Sequence, residues 1–271
     1  MTGYENQPAG QNATIAIMSY SGYDIEDAVV ISRSSIERGF GRAFVKKKKV
    51  VNFERGFRTC GDNLVATEDN KDGIVKVAQK LRQGDILVNK YTNKDENEVL
   101  PRPVRFNGKY STSVDRILLT SSGENYLLVK MRLSQVRVPE IGDKFSSRHG
   151  QKGVMGLKVS SIDLPFSESG WTPDLIMNPH GFPSRMTVGK LLELLSSKAS
   201  ALTGRLYYGS AFEDKELCTS CKQPCTCKNV ALKMGEILLE YGYNYQGSDV
   251  LISGTTGEYI KGYIFSGPVY Y

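Results

Sequence analysis

Two adjacent acids are the first side chains in this sequence that could hold a metal ion. Glu26 and Asp27 stand together just before the apolar run from Ala28 to Ile31. Mg²⁺ prefers oxygen ligands and commonly takes one or two carboxylates together with substrate phosphates. Adjacent acids are also common on solvated loops, so the pair taken alone leaves both interpretations open.

A basic, glycine-rich segment at residues 142–153 could bind phosphate. It contains Lys144, Arg148 and Lys152, with His149, among three glycines. Glycine lets a backbone approach phosphate closely, and Lys and Arg neutralise its charge. The same composition suits an ordinary basic surface loop, and the order of residues is not that of a Walker A loop. We expect an irregular functional loop here rather than a regular element.

A third cation, Arg185, stands before the strongest helical pattern in the chain. Apolar residues recur at helical spacing over residues 188–202, Ser184 could cap this helix and Gly204 could end it. We therefore expect Arg185 in or beside the first turn, where a helix N-terminus attracts phosphate. The alternative is an arginine that bridges nearby acids.

Four cysteines lie within ten residues: Cys218, Cys221, Cys225 and Cys227. The N-terminus has no signal-peptide pattern, which favours a reducing compartment and therefore zinc over disulfides. The spacing is tighter than that of two separate zinc knuckles. An exposed cysteine-rich loop remains the alternative to a zinc site.

The elements that must position these side chains are mainly short strands. Alternating residues predict a strand over 12–19, followed by a loop that carries the acids, a second strand and a short helix over 33–38. Short Val- and Leu-bearing runs between residues 41 and 137 indicate a β-rich insertion, and a further helix is predicted over 230–241. The fold class expected is mainly β with helices, α+β.

The composition excludes some classes of protein. The chain has 271 residues, of which 40% are hydrophobic and 24% charged, as in globular proteins, and no apolar run approaches the roughly 18 residues of a membrane helix. A net charge of +6 favours a nucleic-acid partner only where the charges cluster. The four lysines at residues 46–49 are interpreted as an edge strand that charge keeps soluble.

Three segments together resemble a known family. They are SYSGYDIEDA at residues 19–28, EIGDKFSSRHGQKG at 140–153 and NPHGFPSRMT at 178–187. In this order they resemble the second-largest subunit of multisubunit DNA-directed RNA polymerases. The segment at 19–28, with GQNA at 10–13 and RGFGR at 38–42, resembles in particular the eukaryotic RNA polymerase III subunit. Members of that family are several times longer, so we expect the chain to be an internal fragment.

The resemblance implies an architecture and a function. Residues 1–42 and 138–271 would form the hybrid-binding region with a double-psi β-barrel, and 43–137 would be the inserted wall or flap. The region would bind the RNA 3′ end, the RNA–DNA hybrid and the incoming nucleoside triphosphate. The expected partners are the largest subunit, other polymerase subunits, template DNA, transcript RNA and nucleoside triphosphates, with no membrane.

The resemblance also implies residue roles. Glu26 and Asp27 would help to hold a second, substrate-borne Mg²⁺, chiefly through water or the triphosphate. Lys144 and Lys152 would line the active centre near the RNA 3′ end, and Arg185 would face the triphosphate. The main metal-binding aspartates of this family belong to the largest subunit, so the fragment alone is expected to be inactive. The expected location is the nucleus, or the cytoplasm if the source is archaeal-like.

One region departs from the family pattern. Residues 215–229, which contain the four cysteines, stand where a shorter loop is expected. Zn²⁺ is therefore a second candidate cofactor beside Mg²⁺. The alternative function is a zinc-dependent nucleic-acid-binding or scaffold module without a catalytic role.

Overall fold

The computed structural model describes residues 3, 9–53, 57–59, 72–95, 98–121, 123, 126–207 and 230–271. The chain divides into two compact units. Unit 1 comprises Met1–Gly41 and Pro139–Tyr271, and unit 2 comprises Arg42–Val138. The described residues form a mixed α+β structure that is mostly sheet with few helices, which confirms the expected fold class.

The strands and helices are numbered in chain order. The strands are β1 (Asn12–Ile17), β2 (Ala28–Ser32), β3 (Ala43–Asn52), β4 (Phe57–Thr59), β5 (Lys80–Leu81), β6 (Ile86–Val88), β7 (Lys90–Asp95), β8 (Glu98–Pro101), β9 (Val104–Arg105), β10 (Thr112–Ser121), β11 (Leu127–Arg137), β12 (Lys144–Ser146), β13 (Lys152–Val159), β14 (Phe166–Ser167), β15 (Leu175–Met177), β16 (Ser248–Asp249), β17 (Leu251–Ile252) and β18 (Ile264–Tyr270). The helices are α1 (Arg33–Arg38), α2 (Val188–Thr203) and α3 (Val230–Glu240). No helix in the described part of the chain is long and apolar enough to cross a membrane.

Unit 1 is built on a seven-stranded sheet with the order β12-β13-β2-β15-β1-β18-β16. Strand β2 is parallel to β13 and antiparallel to β15. Both faces of the central strands are buried: Ile15 and Val29 belong to one core cluster, and Ala16 and Val30 to another on the opposite face. Strands covered on both faces carry continuous apolar runs, which explains why the sequences of these strands are almost entirely apolar.

Helix α1 follows β2 directly. The Ser32 side chain accepts a hydrogen bond from the backbone N–H of Ser35, and Gly39 ends the helix in the left-handed conformation. The short helix predicted over 33–38 is therefore confirmed.

The start of helix α2 differs from the position predicted from the sequence. The helix begins at Val188 and not at Ser184, and its N-cap residue Thr187 makes no capping bond through its side chain. Residues 182–186 form turns instead, so Arg185 lies before the helix rather than in its first turn. Gly204 ends the helix with φ 68°, as predicted, and α3 packs against α2 through Met234 and Leu238.

The segment from residue 142 to 156 is more regular than the sequence predicts. It contains β12 and most of β13, which form an antiparallel pair, and β13 also pairs with β2. The expectation of an irregular loop is therefore wrong. The hydrogen bonds that order β13 come from a strand more than one hundred residues earlier in the chain, so local composition does not reveal them.

Unit 2 contains a four-stranded sheet with the order β3-β11-β10-β5. One face of this sheet packs on a core that includes Val51, Leu81, Val129 and Met131. Strand β3 lies at the edge, and its lysines at residues 46–49 are exposed. The interpretation of these lysines as part of a charged edge strand is confirmed.

Candidate functional site

Three of the predicted site residues, Asp27, Lys152 and Arg185, meet at one edge of the unit 1 sheet. Because β2 and β13 are parallel, their N-terminal ends lie at the same edge. Asp27 stands just before β2, and Lys152 is the first residue of β13. The backbone N–H of Val154 donates to the Asp27 carbonyl oxygen at 2.8 Å. This bond joins the loop between β1 and β2, residues 18–27, to strand β13. We call this loop the acid loop.

Arg185 reaches this edge through β15. This strand runs antiparallel to β2 and ends at Met177, opposite Val29, so the turns that follow it lie beside Asp27. The Arg185 guanidinium forms an ion pair with the Asp27 carboxylate through Nη2 and Oδ1. Its Nη1 donates to the Lys152 carbonyl oxygen at 3.5 Å. Arg185 thus bridges a nearby acid, the alternative that the sequence left open.

Lys144 occupies the strand next to Lys152. In the β12–β13 register Lys144 lies opposite Val154, and Ser146 lies opposite Lys152. Residues two apart on a strand share a face, so the two lysines are diagonal neighbours on one face, about 7–8 Å apart. Phe145 between them points the other way and stacks on Phe40, with ring centroids 6.1 Å apart. Both lysines are exposed.

Two glycines allow the acid loop to pack against β13. A Cβ atom on Gly153 would lie 2.9 Å from the Asp27 carbonyl oxygen, and one on Gly156 would lie 2.4 Å from the Tyr23 carbonyl oxygen. Both distances are too short for an ordinary contact. These glycines therefore serve backbone packing within the chain.

The acid loop holds its three acids in different environments. Asp24 is fully buried and its carboxylate accepts backbone hydrogen bonds from Tyr20 at 2.8 Å and Ser21 at 3.1 Å. Glu26 and Asp27 are exposed. Glu26 has φ 53°, a left-handed conformation that is uncommon for a residue other than glycine and is typical of functional loops.

Sequence reasoning missed Glu193, which anchors the loop between the two lysines. Its carboxylate accepts from Arg148 at 2.6 Å, contacts His149 Nε2 at 2.5 Å and accepts from the Tyr270 backbone N–H at 3.2 Å. Burial by itself would raise the pKa of Glu193, but the hydrogen bonds from Arg148, Tyr270 and His149 lower it below its ordinary value. A charged residue between leucines on a helix was the available sequence signal.

Lys190 is a second residue that the sequence did not reveal. It is fully buried, and its Nζ donates to the Tyr271 hydroxyl at 2.6 Å and contacts Met177 Sδ at 2.8 Å. Burial lowers the pKa of Lys190 to about 7; Glu193 opposes this shift and Arg185 adds to it. The charges of Glu193 and Arg185 therefore affect the pKa of Lys190, although its buried side chain is not exposed to a ligand.

These residues could hold a metal ion only if other molecules supplied some of its ligands. Within the described ranges there is no group of three or more His, Cys, Asp or Glu side chains that could hold a metal ion. Glu26 and Asp27 offer two carboxylates, and Arg185 already engages one of them. A Mg²⁺ ion here would need water or phosphate oxygens to complete its ligands. Cys218, Cys221, Cys225 and Cys227 lie outside the described residues, so the zinc prediction stays a prediction.

Comparison with known proteins gives the family. The family model described as "RNA polymerase Rpb2, domain 6" matches residues 1–271. DNA-directed RNA polymerase III subunit RPC2 of Saccharomyces cerevisiae is 42% identical over 293 residues, which cover 99% of this chain and 24% of the relative. The RPC2 subunit of Schizosaccharomyces pombe is 43% identical over 299 residues, 100% of this chain and 24% of the relative.

An archaeal relative is less similar. DNA-directed RNA polymerase subunit Rpo2 of Saccharolobus solfataricus is 34% identical over 295 residues, which cover 99% of this chain and 25% of the relative. The chain spans about a quarter of the length of these curated relatives. Because the family match extends over the whole chain, the chain belongs to the RNA polymerase Rpb2, domain 6 family of second-largest polymerase subunits.

Proposed function

We propose that this chain forms part of the active centre of a DNA-dependent RNA polymerase. The observation that carries the proposal is the contact of Arg185 with both Asp27 and the Lys152 backbone at one sheet edge. Segments that are far apart in sequence thereby bring cations and carboxylates together, in a chain whose relatives are named DNA-directed RNA polymerase subunits. Lys144 extends the positive surface on the next strand.

The reaction explains why these residue types are needed. The RNA 3′ hydroxyl attacks the α-phosphorus of a nucleoside triphosphate, a new P–O bond forms and pyrophosphate leaves. Lys144 and Lys152 stabilise negative charge near the RNA 3′ end and the reacting phosphate, and Arg185 binds triphosphate oxygens through its planar fork. Mg²⁺, when bound, neutralises the phosphates and the leaving group, and Glu26 and Asp27 would contribute to holding it.

Arg185 and Asp27 exchange partners when a triphosphate binds. In the free chain the Arg185 guanidinium forms an ion pair with the Asp27 carboxylate. A triphosphate presents several anionic oxygens that accept bidentate bonds from arginine, so Arg185 turns to the phosphate and Asp27 becomes available to a metal ion or its water. The ion pair therefore keeps both groups in place until substrate arrives.

The two compact units correspond to two parts of the proposed subunit. Residues 1–42 and 138–271 form the hybrid-binding region with a double-psi β-barrel, and 43–137 form the wall or flap. The division of the chain near residues 42 and 138 supports this assignment. Activity needs the largest subunit, which supplies the main metal-binding aspartates, so the fragment alone is inactive. The partners are the other polymerase subunits, DNA, RNA and nucleoside triphosphates, and the location is the nucleus.

The test is nucleotide addition by reconstituted polymerase carrying Lys152→Ala or Arg185→Ala. Each variant should slow single-nucleotide addition by about a hundredfold or more, equivalent to about 3 kcal/mol, while the subunits still assemble. Lys158→Ala is the matched control, since Lys158 is exposed on the same strand β13 away from the edge. Elongation at the wild-type rate by both site variants would exclude the proposed roles.

The cysteine cluster supplies the competing explanation and its own test. If the chain acted as a zinc-dependent binding module, Cys218→Ser or chelation of zinc would abolish nucleic-acid binding and leave Lys152→Ala without effect. The active-centre proposal requires the opposite pattern, in which Cys218→Ser leaves nucleotide addition close to the wild-type rate. Metal analysis of the purified chain determines whether zinc is present.

A further inference from the structure

A buried hydrogen bond joins the two segments that carry Lys152 and Arg185. The Gln151 side-chain amide donates through Nε2 to the hydroxyl oxygen of Thr187. Gln151 directly precedes Lys152, and Thr187 follows Arg185 by two residues. Gln151 is 1% exposed, so water does not compete for this bond. The two cations that we propose to bind phosphate are therefore linked through a contact that is shielded from water.

The Thr187 hydroxyl does not have the usual role of a threonine at its position. Thr187 is the N-cap residue of α2, where a threonine oxygen commonly accepts a hydrogen bond from the backbone of the first helical turn. Its side chain makes no such bond and accepts from Gln151 instead. Because a missing cap destabilises a helix, the bond to Gln151 replaces a contact that would have stabilised α2.

Two further unfavourable features lie beside this bond. Gln151 Oε1 is buried and has no hydrogen-bond partner among the residues that the structure describes, and a buried acceptor without a partner is destabilising. Met186, between Arg185 and Thr187, has φ 51°, a left-handed conformation that is uncommon for residues other than glycine. Its side chain is 82% exposed, so its packing does not compensate. Features of this kind cluster at functional sites.

The loop before Lys152 also packs on the first two turns of α2. A Cβ atom on Gly189 would lie 3.1 Å from His149 Nδ1, so glycine at this position allows the loop to approach the helix closely. His149 Nε2 contacts the Glu193 carboxylate one turn further along, at 2.5 Å. Helix α2 is thus a common support for the loop that leads to Lys152 and for the turn that carries Arg185.

The buried bond and the Arg185–Asp27 ion pair differ in how a bound triphosphate would affect them. The side chains of the ion pair are 28% and 60% exposed, and under the proposed function this pair opens when a triphosphate binds. The bond between Gln151 and Thr187 involves neither charged group, so it remains. It can therefore keep the backbones at Lys152 and Arg185 in register after the ion pair has opened.

We propose that Gln151 and Thr187 are positioning residues that hold Lys152 and Arg185 at the spacing that nucleotide addition requires. This inference rests on the proposed function of the two cations. Gln151 and Thr187 do not touch the reacting atoms and act only through Lys152 and Arg185. A displacement of about 1 Å in a positioned group can slow a reaction about a hundredfold, so loss of one buried bond should have a measurable effect on catalysis.

The test is single-nucleotide addition by reconstituted polymerase over a range of nucleoside triphosphate concentrations, which gives KM and kcat separately. Gln151→Met keeps an unbranched side chain but removes the amide, and Thr187→Val removes the hydroxyl. Thr187 is only partly buried, so Thr187→Val tests the bond even if Gln151→Met does not assemble. Thr187→Ser keeps the hydroxyl. Thr203→Val is the control, since it removes a hydroxyl that donates to the Ala199 carbonyl oxygen at 2.9 Å at the other end of α2.

Gln151→Met and Thr187→Val should each raise KM about fivefold or more and lower kcat/KM about tenfold or more, because a misplaced Arg185 binds the triphosphate less well. The double variant should lose no more than the worse single variant, since both substitutions remove the same contact. Thr187→Ser and Thr203→Val should stay within about twofold of wild type. A merely structural role would lower the fraction of active enzyme and leave KM unchanged, and that result would overturn the proposal.

Arg185→Ala distinguishes this proposal from the proposed function. In an Arg185→Ala background, Gln151→Met should change KM little further, because Gln151 affects triphosphate binding through Arg185. Normal elongation by Lys152→Ala and Arg185→Ala would remove the function on which the inference rests. Slow elongation by those two variants, together with wild-type KM and kcat for Gln151→Met and Thr187→Val, would overturn the positioning role alone.

Discussion

Arg185 and Asp27 form an ion pair across 158 residues of sequence. The pair joins the turn after β15 to the acid loop before β2, and both side chains belong to motifs that could bind a nucleotide. Under the proposed function, one contact would serve two purposes. It joins the two segments in the free chain, and it would offer both groups to a triphosphate and its metal ion.

Asp27→Ala should separate these two purposes. The Asp27 side chain is 60% exposed, and exposed ion pairs contribute about 0–1 kcal/mol, so the free energy of unfolding should fall by no more than about 1 kcal/mol. Nucleotide addition by the reconstituted polymerase should fall by tenfold or more. Glu37→Ala, which removes the exposed pair with Arg33, is the control and should leave nucleotide addition unchanged. A large loss of stability in Asp27→Ala would give the pair a structural role instead.

Glu193→Gln should destabilise unit 1 in a pH-dependent way. Hydrogen bonds to a charged group contribute about 1.5–3 kcal/mol, and Glu193 lies against both Arg148 and His149. The pKa of the folded carboxyl is lowered, so its contribution is present above the unfolded pKa and is lost as pH falls through the folded pKa. Urea unfolding at pH 7 and pH 4 should give a difference between wild type and variant that shrinks in acid. A pH-independent difference would contradict the assignment.

Lys190→Met should change the pH dependence of stability at the alkaline side. The pKa of Lys190 falls from 10.5 in the unfolded chain to about 7 in the folded one. Above pH 7 the unfolded chain binds the extra proton, so wild-type stability rises with pH, by up to about 1.4 kcal/mol per unit. The free energy of unfolding, measured from pH 6.5 to 9.5, should rise more steeply for wild type than for Lys190→Met. Parallel profiles would show that the amine stays protonated when buried.

Gly153→Ala should disturb the join between the acid loop and β13. The added Cβ would lie 2.9 Å from the Asp27 carbonyl oxygen and 3.0 Å from Val29 Cγ1, and overpacking of this kind costs about 1–3 kcal/mol. Thermal unfolding of the 271-residue chain measures the loss. Gly22→Ala is the matched control, because its Cβ would meet no atom within 4 Å. Equal melting temperatures for the two variants would mean that the backbone can move away without cost.

Much of the regular structure was predictable because it depends on neighbours in sequence. The alternation in β1, the apolar run of β2 and the helical spacing of α2 and α3 are local patterns, and Gly39 and Gly204 end helices through their own backbone conformation. One failure was also local in origin. Ser184 is a good capping residue by type, yet the turns that follow β15 continue past it and α2 begins at Val188.

The types of residue in the site were likewise evident from the sequence: paired acids, two lysines and an arginine, in motifs whose order indicates the polymerase family. Only the tertiary structure decided their relationships. Strand β13 pairs with β2, which lies far away along the chain, and β12 pairs with β13. Arg185 pairs with Asp27 because β15 runs antiparallel to β2. The roles of Glu193 and Lys190 became visible only in the structure, because burial depends on packing between distant segments; the local sequence marks Glu193 only as a charged residue between leucines.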